Sequence, residues 1–275
     1  MNLQEFLKFT SLLPITLEIL GRIESETGKG FDVQLNPKLP VLAKVKIARS
    51  LMPCHIILVK QKKGSFFNHY LAHECGHILR YYEVSPDKRK TVHINNQSLN
   101  KAIEVLEEEN GDFLKKIPLL KRYQVIPIWA QCLINQITSL PMDIFIEKWL
   151  FDTYPALREE QIKSLQLTYN DAIKALDPNA FTQTPASVRM RTNAMNYAFF
   201  KYLDQFLGSS FFSVFAGSSV SDLGEKLYHY IQDENQGLES DIVLINNWVE
   251  TLGLEGWFTW GDFEDVGEDY EKYYL

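Results

Sequence analysis

The 275 residues carry a formal net charge of −7 and a pI near 5.5, which argues against non-specific binding to nucleic acid or to an anionic membrane, since both need clustered positive charge. A hydrophobic content of 45% is enough to bury a sizeable core. The three cysteines, Cys54, Cys75 and Cys132, form neither a C-x-x-C pair nor an even disulfide set, so a reduced, cytoplasmic protein is expected.

At the start of the chain there is no basic n-region, and Pro14 and Glu18 interrupt the apolar run, so no secretion signal is expected. Nowhere do the roughly 18–20 apolar residues that span a bilayer occur together, and the expectation is a soluble protein. Gln4 to Ile23 predicts one or two amphipathic helices bent near Pro14 and closed by Gly28-Lys29-Gly30. From Phe31 to Lys63 prolines at 37, 40 and 53 punctuate short β-favouring runs. His55-Ile56-Ile57-Leu58-Val59-Lys60 predicts a strand, either a plain core strand or an edge along a cleft where an extended peptide could add by backbone pairing.

Next comes Asn68-His69-Tyr70-Leu71-Ala72-His73-Glu74-Cys75-Gly76-His77, which contains one H-E-x-x-H. Residues four apart share a helix face, so His73 and His77 can offer two imidazole nitrogens to one tetrahedral Zn²⁺, with Glu74 beside it as general base. The surroundings predict a helix: Gly64 and Ser65 serve as stop and N-cap, Phe67, Leu71, Cys75, Ile78 and Tyr82 form an apolar stripe, and Pro86 forbids continuation. Ala72, Gly76 and Leu79 add a second small or apolar face, so the histidines are expected to be buried, where they need hydrogen-bond partners or a cation. A His69/His73 pair is also geometrically available, but only His73/His77 encloses a Glu.

Asp87 to Gln97 reads as a loop or short hairpin, and His93 within it as solvated. Leu99 to Leu114 predicts a helix with Glu104, Glu107, Glu108 and Glu109 on its solvated side; by spacing alone Glu104 is in range of a third metal ligand. Ile128 to Leu140 predicts another helix, and Pro141 opens the next. In Met142 to Phe151, Asp143 and Glu147 stand one i,i+4 step apart in an otherwise apolar run, and buried carboxylates need partners. A metal and its ligand histidines would supply them. Glu147, with the longer reach, is the expected third ligand, and Asp143 is its support or the alternative ligand. Beyond Phe151 four amphipathic stretches, Pro155–Leu176, Val188–Leu207, Ser221–Asn235 and Leu238–Leu252, carry no catalytic motif. The end, from Trp257, is acidic and aromatic.

At His73-Glu74-Cys75-Gly76-His77 followed by the Asp143/Glu147 helix, over roughly residues 55 to 151, the chain resembles the gluzincin group of zinc metallopeptidases, whose third ligand is a Glu on a later helix. The resemblance implies a compact active-site domain with a small sheet over two helices, in which His73, His77 and Glu147 bind Zn²⁺ and Glu74 acts as base and then acid. The acidic pair reads D-x-x-x-E here and E-x-x-x-D in several gluzincins; by position alone, Asp143 would be the ligand.

The expectation is therefore an α+β, predominantly helical protein. A zincin-like metallopeptidase domain spans 1–151, and a helical C-terminal extension spans 152–275, standing apart or packing with the first as one unit. The function expected is zinc-dependent hydrolysis of peptide bonds in a peptide or protein substrate, with Tyr70 and His93 as candidate oxyanion donors. No nucleic-acid or membrane partner is expected, and the acidic tail is a candidate surface for a protein partner. The rival reading is a non-catalytic binding protein on a zincin-like scaffold.

Overall fold

The computed structural model describes residues 12–39, 41–60, 66–177, 182–216, 220–231 and 237–265. It is a mostly helical α+β protein with a small mixed sheet near the N-terminus. The first helix, α1 (Pro14–Thr27), starts on the proline itself, whose missing N–H is no loss in the first turn, and ends at Gly28 with φ +66°. The part of the expected Gln4–Ile23 helix before residue 12 lies outside the described residues.

Three strands follow: β1 (Gly30–Leu35), β2 (Ala43–Lys46) and β3 (Cys54–Val59). β3 is central, parallel to β1 and antiparallel to β2. The His55–Lys60 run thus supplies most of the central strand, β3, and the edges are β1 and β2, the latter a segment too short and too rich in lysine to stand out in the sequence. Helix α2 (Phe67–Tyr82) carries the H-E-x-x-H and buries Phe67, Leu71, Cys75 and Ile78 against α1 and the sheet.

Then come β4 (Lys90–His93), α3 (Asn96–Glu109), the short α4 (Gly111–Leu114), and α5 (Leu119–Thr153). The sequence suggests two helices split at Pro141; α5 is instead one helix of 35 residues that contains Pro127 and Pro141. A proline inside a helix costs one backbone hydrogen bond. Here α5 is apolar almost all round and clamped between two cores, so packing outweighs that loss. Ile144 and Phe145 enter the larger, helical core, and Ile146 and Leu150 enter the core shared by α1, α2 and the sheet.

The remaining helices are α6 (Arg158–Lys174), α7 (Ala186–Leu207), α8 (Ser221–His229) and α9 (Leu238–Leu252), followed by β5 (Thr259–Asp262). α6 packs on α2, and β5 pairs antiparallel with β4, Lys90 opposite Asp262 and His93 opposite Thr259. The stretch expected as a loop or hairpin at 87–97 therefore finds its strand partner at the far end of the chain. The beginning of the acidic aromatic tail is docked on its own protein: Phe263 O accepts from Arg49 Nε at 2.9 Å, and Glu264 accepts from Ser50 N at 3.0 Å. Residues 266–275 of the tail lie outside the described residues. Among the described residues no helix is long and apolar enough to cross a membrane.

Candidate metal centre

α2 begins without a cap of its own: the N-cap residue is Phe66, and Gly64 and Ser65, expected to serve there, lie outside the described residues. The free N–H groups of its first turn are instead met from α6. Glu160 accepts from Asn68 N at 2.9 Å, His69 N at 3.2 Å and Asn68 Nδ2 at 2.9 Å. A carboxylate suits this position, because the helix N-terminus carries partial positive charge.

Two turns further on, α2 meets α5 at Gly76. A Cβ there would stand 2.6 Å from Ile146 Cγ2, so only glycine permits this approach. The close crossing sets the faces of His69, His73 and His77 against Asp143 and Glu147.

Among the described residues two overlapping groups of three metal-capable residues result, His73/His77/Asp143 and His69/His73/Glu147. His73 belongs to both through different ring nitrogens. Its Nδ1 lies 2.8 Å from Glu147 Oε1, and its Nε2 lies 3.4 Å from Asp143 Oδ1. His77 Nε2 reaches the same Asp143 oxygen at 3.3 Å. Glu147, expected as the third ligand, is on the Nδ1 side of His73, and it is Asp143 that faces both Nε2 atoms.

The two groups differ in kind. Around Glu147 the contacts are ordinary hydrogen bonds: His69 Nε2 to Oε2 at 3.0 Å, and Gln161 Nε2 to Oε2 at 2.6 Å and to the Glu147 carbonyl at 2.8 Å. Asp143 Oδ1, by contrast, is buried and has no hydrogen-bond partner of good geometry. The Glu147 side chain is 3% exposed, whereas His73 and His77 keep 16% and Asp143 19%, so the His73/His77/Asp143 group faces outward more than the expected burial of the histidines implied.

Both carboxylates bear on His73. Burial opposes a charged ring, yet Asp143 and Glu147 together hold its pKa well above the usual imidazole value. Burial likewise opposes ionisation of Asp143 and Glu147, and the neighbouring imidazoles nonetheless hold both below the usual carboxylate range. The arrangement favours a positive charge between these groups.

Glu74 points to the sheet edge, where its Oε2 accepts from Val45 N of β2 at 2.8 Å. Leu42 O accepts from Lys60 N, and hydrogen-bonded pairs alternate along an antiparallel ladder. Ala43 and Val45 therefore turn their backbone groups away from β3, to the side of β2 that pairs with no other strand among the described residues.

Of the other residues considered from sequence, Glu104 is exposed on α3, in neither group. His93 sits at the end of β4, and its carbonyl accepts from Thr259 Oγ1 at 3.4 Å. The Tyr70 ring tilts over His69 with centroids 5.7 Å apart, and its hydroxyl is buried. Sequence reading overlooked Glu160, Gln161 and Ser164, which reach the site from beyond residue 151; three polar residues on one face of an amphipathic helix look like ordinary surface. A cavity of about 600 Å³ is lined by residues of α1, α2 and α5, among them Arg22, Arg80, Phe145 and Trp149, rather than by the histidine groups.

No protein-family model matches the chain, and no curated protein or solved structure matches it either.

Proposed function

We propose that His73 Nε2, His77 Nε2 and Asp143 hold one divalent metal ion, that the ion is zinc, and that the protein is a zinc-dependent metallopeptidase on a zincin-like domain. The observation that carries this reading is the buried Asp143 oxygen set 3.3 and 3.4 Å from two imidazole nitrogens without a proper hydrogen bond. Donors around a tetrahedral ion with bonds of about 2.0–2.1 Å stand roughly 3.3–3.4 Å apart, so these spacings fit a ligand set better than an ion pair.

The hydrogen on His73 is compatible with this. Glu147 Oε1 can only accept, so His73 Nδ1 carries a hydrogen, and it is Nε2 that faces Asp143. A cation between Nε2 and the carboxylate fits the raised pKa of His73: without a metal a proton on Nε2 fills that place, and a bound metal ion would displace it. In this reading Glu147 orients the ligand His73, the role given to Asp143 by the longer-reach argument, and Asp143 is the ligand.

A zinc ion so held would supply a water of lowered pKa and polarise a carbonyl. Glu74, with one oxygen tied to Val45, keeps the other to take a proton and later return it to the leaving amine. The outward backbone groups of Ala43 and the outward carbonyl of Val45 suit an extended peptide added along β2, directly beside Glu74, which holds the Val45 N–H. Two imidazoles and one carboxylate are a donor set zinc accepts readily, while Mg²⁺ and Ca²⁺ favour all-oxygen sites.

The test is elemental analysis of the purified protein together with cleavage of a mixed peptide library by the zinc-loaded form. About one zinc per chain, with cleavage lost in Glu74→Gln while zinc is retained, is expected. Zinc bound without any Glu74-dependent cleavage would make the site structural or regulatory, and no zinc after reconstitution would remove the metal reading.

A further inference from the structure

With Glu147 as a carboxylate, the contacts behind His73 place the hydrogens that face it. Glu147 Oε2 accepts from His69 Nε2 at 3.0 Å, so that nitrogen carries the hydrogen. The opposite nitrogen, Nδ1, meets Ser164 Oγ at 2.7 Å, a hydroxyl able to donate to it. Gln161 of the same helix gives its amide to Glu147 Oε2 at 2.6 Å and to the Glu147 carbonyl at 2.8 Å. His69 and Glu147 are 2% and 3% exposed at the side chain, so water does not compete for these bonds. The chain runs from Ser164 through His69 to Glu147, which also takes the Nδ1 hydrogen of His73 and leaves Nε2 as the nitrogen that faces Asp143.

We propose that His69, locked by Ser164 of α6, is a positioning residue for the metal centre: it holds the Glu147 carboxylate so that His73 is fixed in the tautomer and rotation that present Nε2 to the ion. This rests on the metal reading above and adds a helix from beyond residue 151 to the site. The spacing of His69, His73 and Glu147 would also admit a second ion. Against it, Glu147 Oε2 already receives two N–H donors and His69 Nδ1 a hydroxyl, and an ion bridging Glu147 would require stripping the hydrogen from His73 Nδ1.

The experiment is titration of the metal-free, full-length protein with Co²⁺, following the visible ligand-field bands and the number of ions bound, for wild type, His69→Phe, His69→Gln and Ser164→Ala. Near-ultraviolet circular dichroism of the metal-free forms confirms that each variant is folded. His69→Phe keeps the bulk and loses the donor; its Co²⁺ affinity should fall about ten- to a hundredfold, with altered bands. His69→Gln keeps a donor toward Glu147 and should recover most of that loss. If His69→Phe does not fold, Ser164→Ala decides, with a several-fold weakening expected. Unchanged affinity and bands in a folded His69→Phe or, failing that, in Ser164→Ala overturn the positioning role while leaving the metal centre intact. Two ions per chain, one of them lost in His69→Phe, overturn it in favour of a second site. A wild-type protein that binds neither Co²⁺ nor Zn²⁺ overturns the metal reading itself, and the positioning role with it.

Discussion

Glu147 Oε1 and His73 Nδ1 meet at 2.8 Å, so the carboxylate takes the back of the ring while Asp143 faces its front at 3.4 Å. Two acids one helical turn apart on α5 thereby have different work, although the sequence presents them as near equivalents.

Substitution should separate them. Asp143→Ala should lose the bound zinc outright, and Glu147→Gln should keep about one zinc per chain with affinity weakened roughly ten- to a hundredfold. Competition against a chelator of known affinity measures both. Zinc kept by Asp143→Ala and lost by Glu147→Gln would move the ion to the other side of His73.

Gly76→Ala tests the crossing that brings the groups together. The new methyl would sit 2.6 Å from Ile146 Cγ2 and 3.2 Å from Cγ1, and overpacking of this kind costs about 1–3 kcal/mol. Adding Ile146→Ala removes both atoms and should restore much of the metal affinity lost in the single variant, though not the packing of Ile146 itself. Urea unfolding and zinc titration of the three proteins give both numbers.

Glu160 is a cap supplied from another helix, and its loss should be felt in α2. Glu160→Ala leaves Asn68 N and His69 N without their acceptor and should cost about 1–2 kcal/mol. Glu160→Gln retains an acceptor oxygen and should cost less. Hydrogen exchange at the amides of residues 68 and 69 should quicken in the alanine variant, and unchanged exchange there would mean that the cap is dispensable.

A pH response should come from the buried His55. Burial, with a smaller contribution from nearby Lys29, pushes its pKa down to about 4; its Nδ1 accepts from Ala48 N at 3.0 Å, which leaves Nε2 to donate to Thr27 Oγ1. The unfolded chain, with an ordinary imidazole near 6.5, binds the proton more readily than the folded one between these two values. Stability from this residue is therefore complete above about pH 6.5 and is lost as pH falls toward 4, by up to about 3 kcal/mol. His55→Asn keeps an acceptor for Ala48 N and cannot titrate. The difference in unfolding free energy between the two proteins should flatten above pH 6.5, and a difference independent of pH from 4 to 7 would refute the assignment.

Sequence alone fixed what is local. The H-E-x-x-H at 73–77 follows from residue types and the helical period, as do the stripe Phe67, Leu71, Cys75 and Ile78 and the span of α9, because an α-helix writes its buried face into its own spacing. The pair Asp143 and Glu147 could be nominated for the same reason. What the sequence could not decide are matters of which atom faces which across long separations. Pro141 does not end α5, since two cores hold the helix on both sides. The sheet edges are β1 and β2 rather than the strongly apolar β3, since strand order depends on pairing and not on local preference. Whether Asp143 or Glu147 faces the two Nε2 atoms is set by the crossing of α2 and α5 at Gly76, and the supporting Glu160, Gln161 and Ser164 arrive on a helix about 90 residues later. Period and composition carry no record of such contacts, because a hydrogen bond between distant residues constrains geometry in space and leaves the intervening chain free.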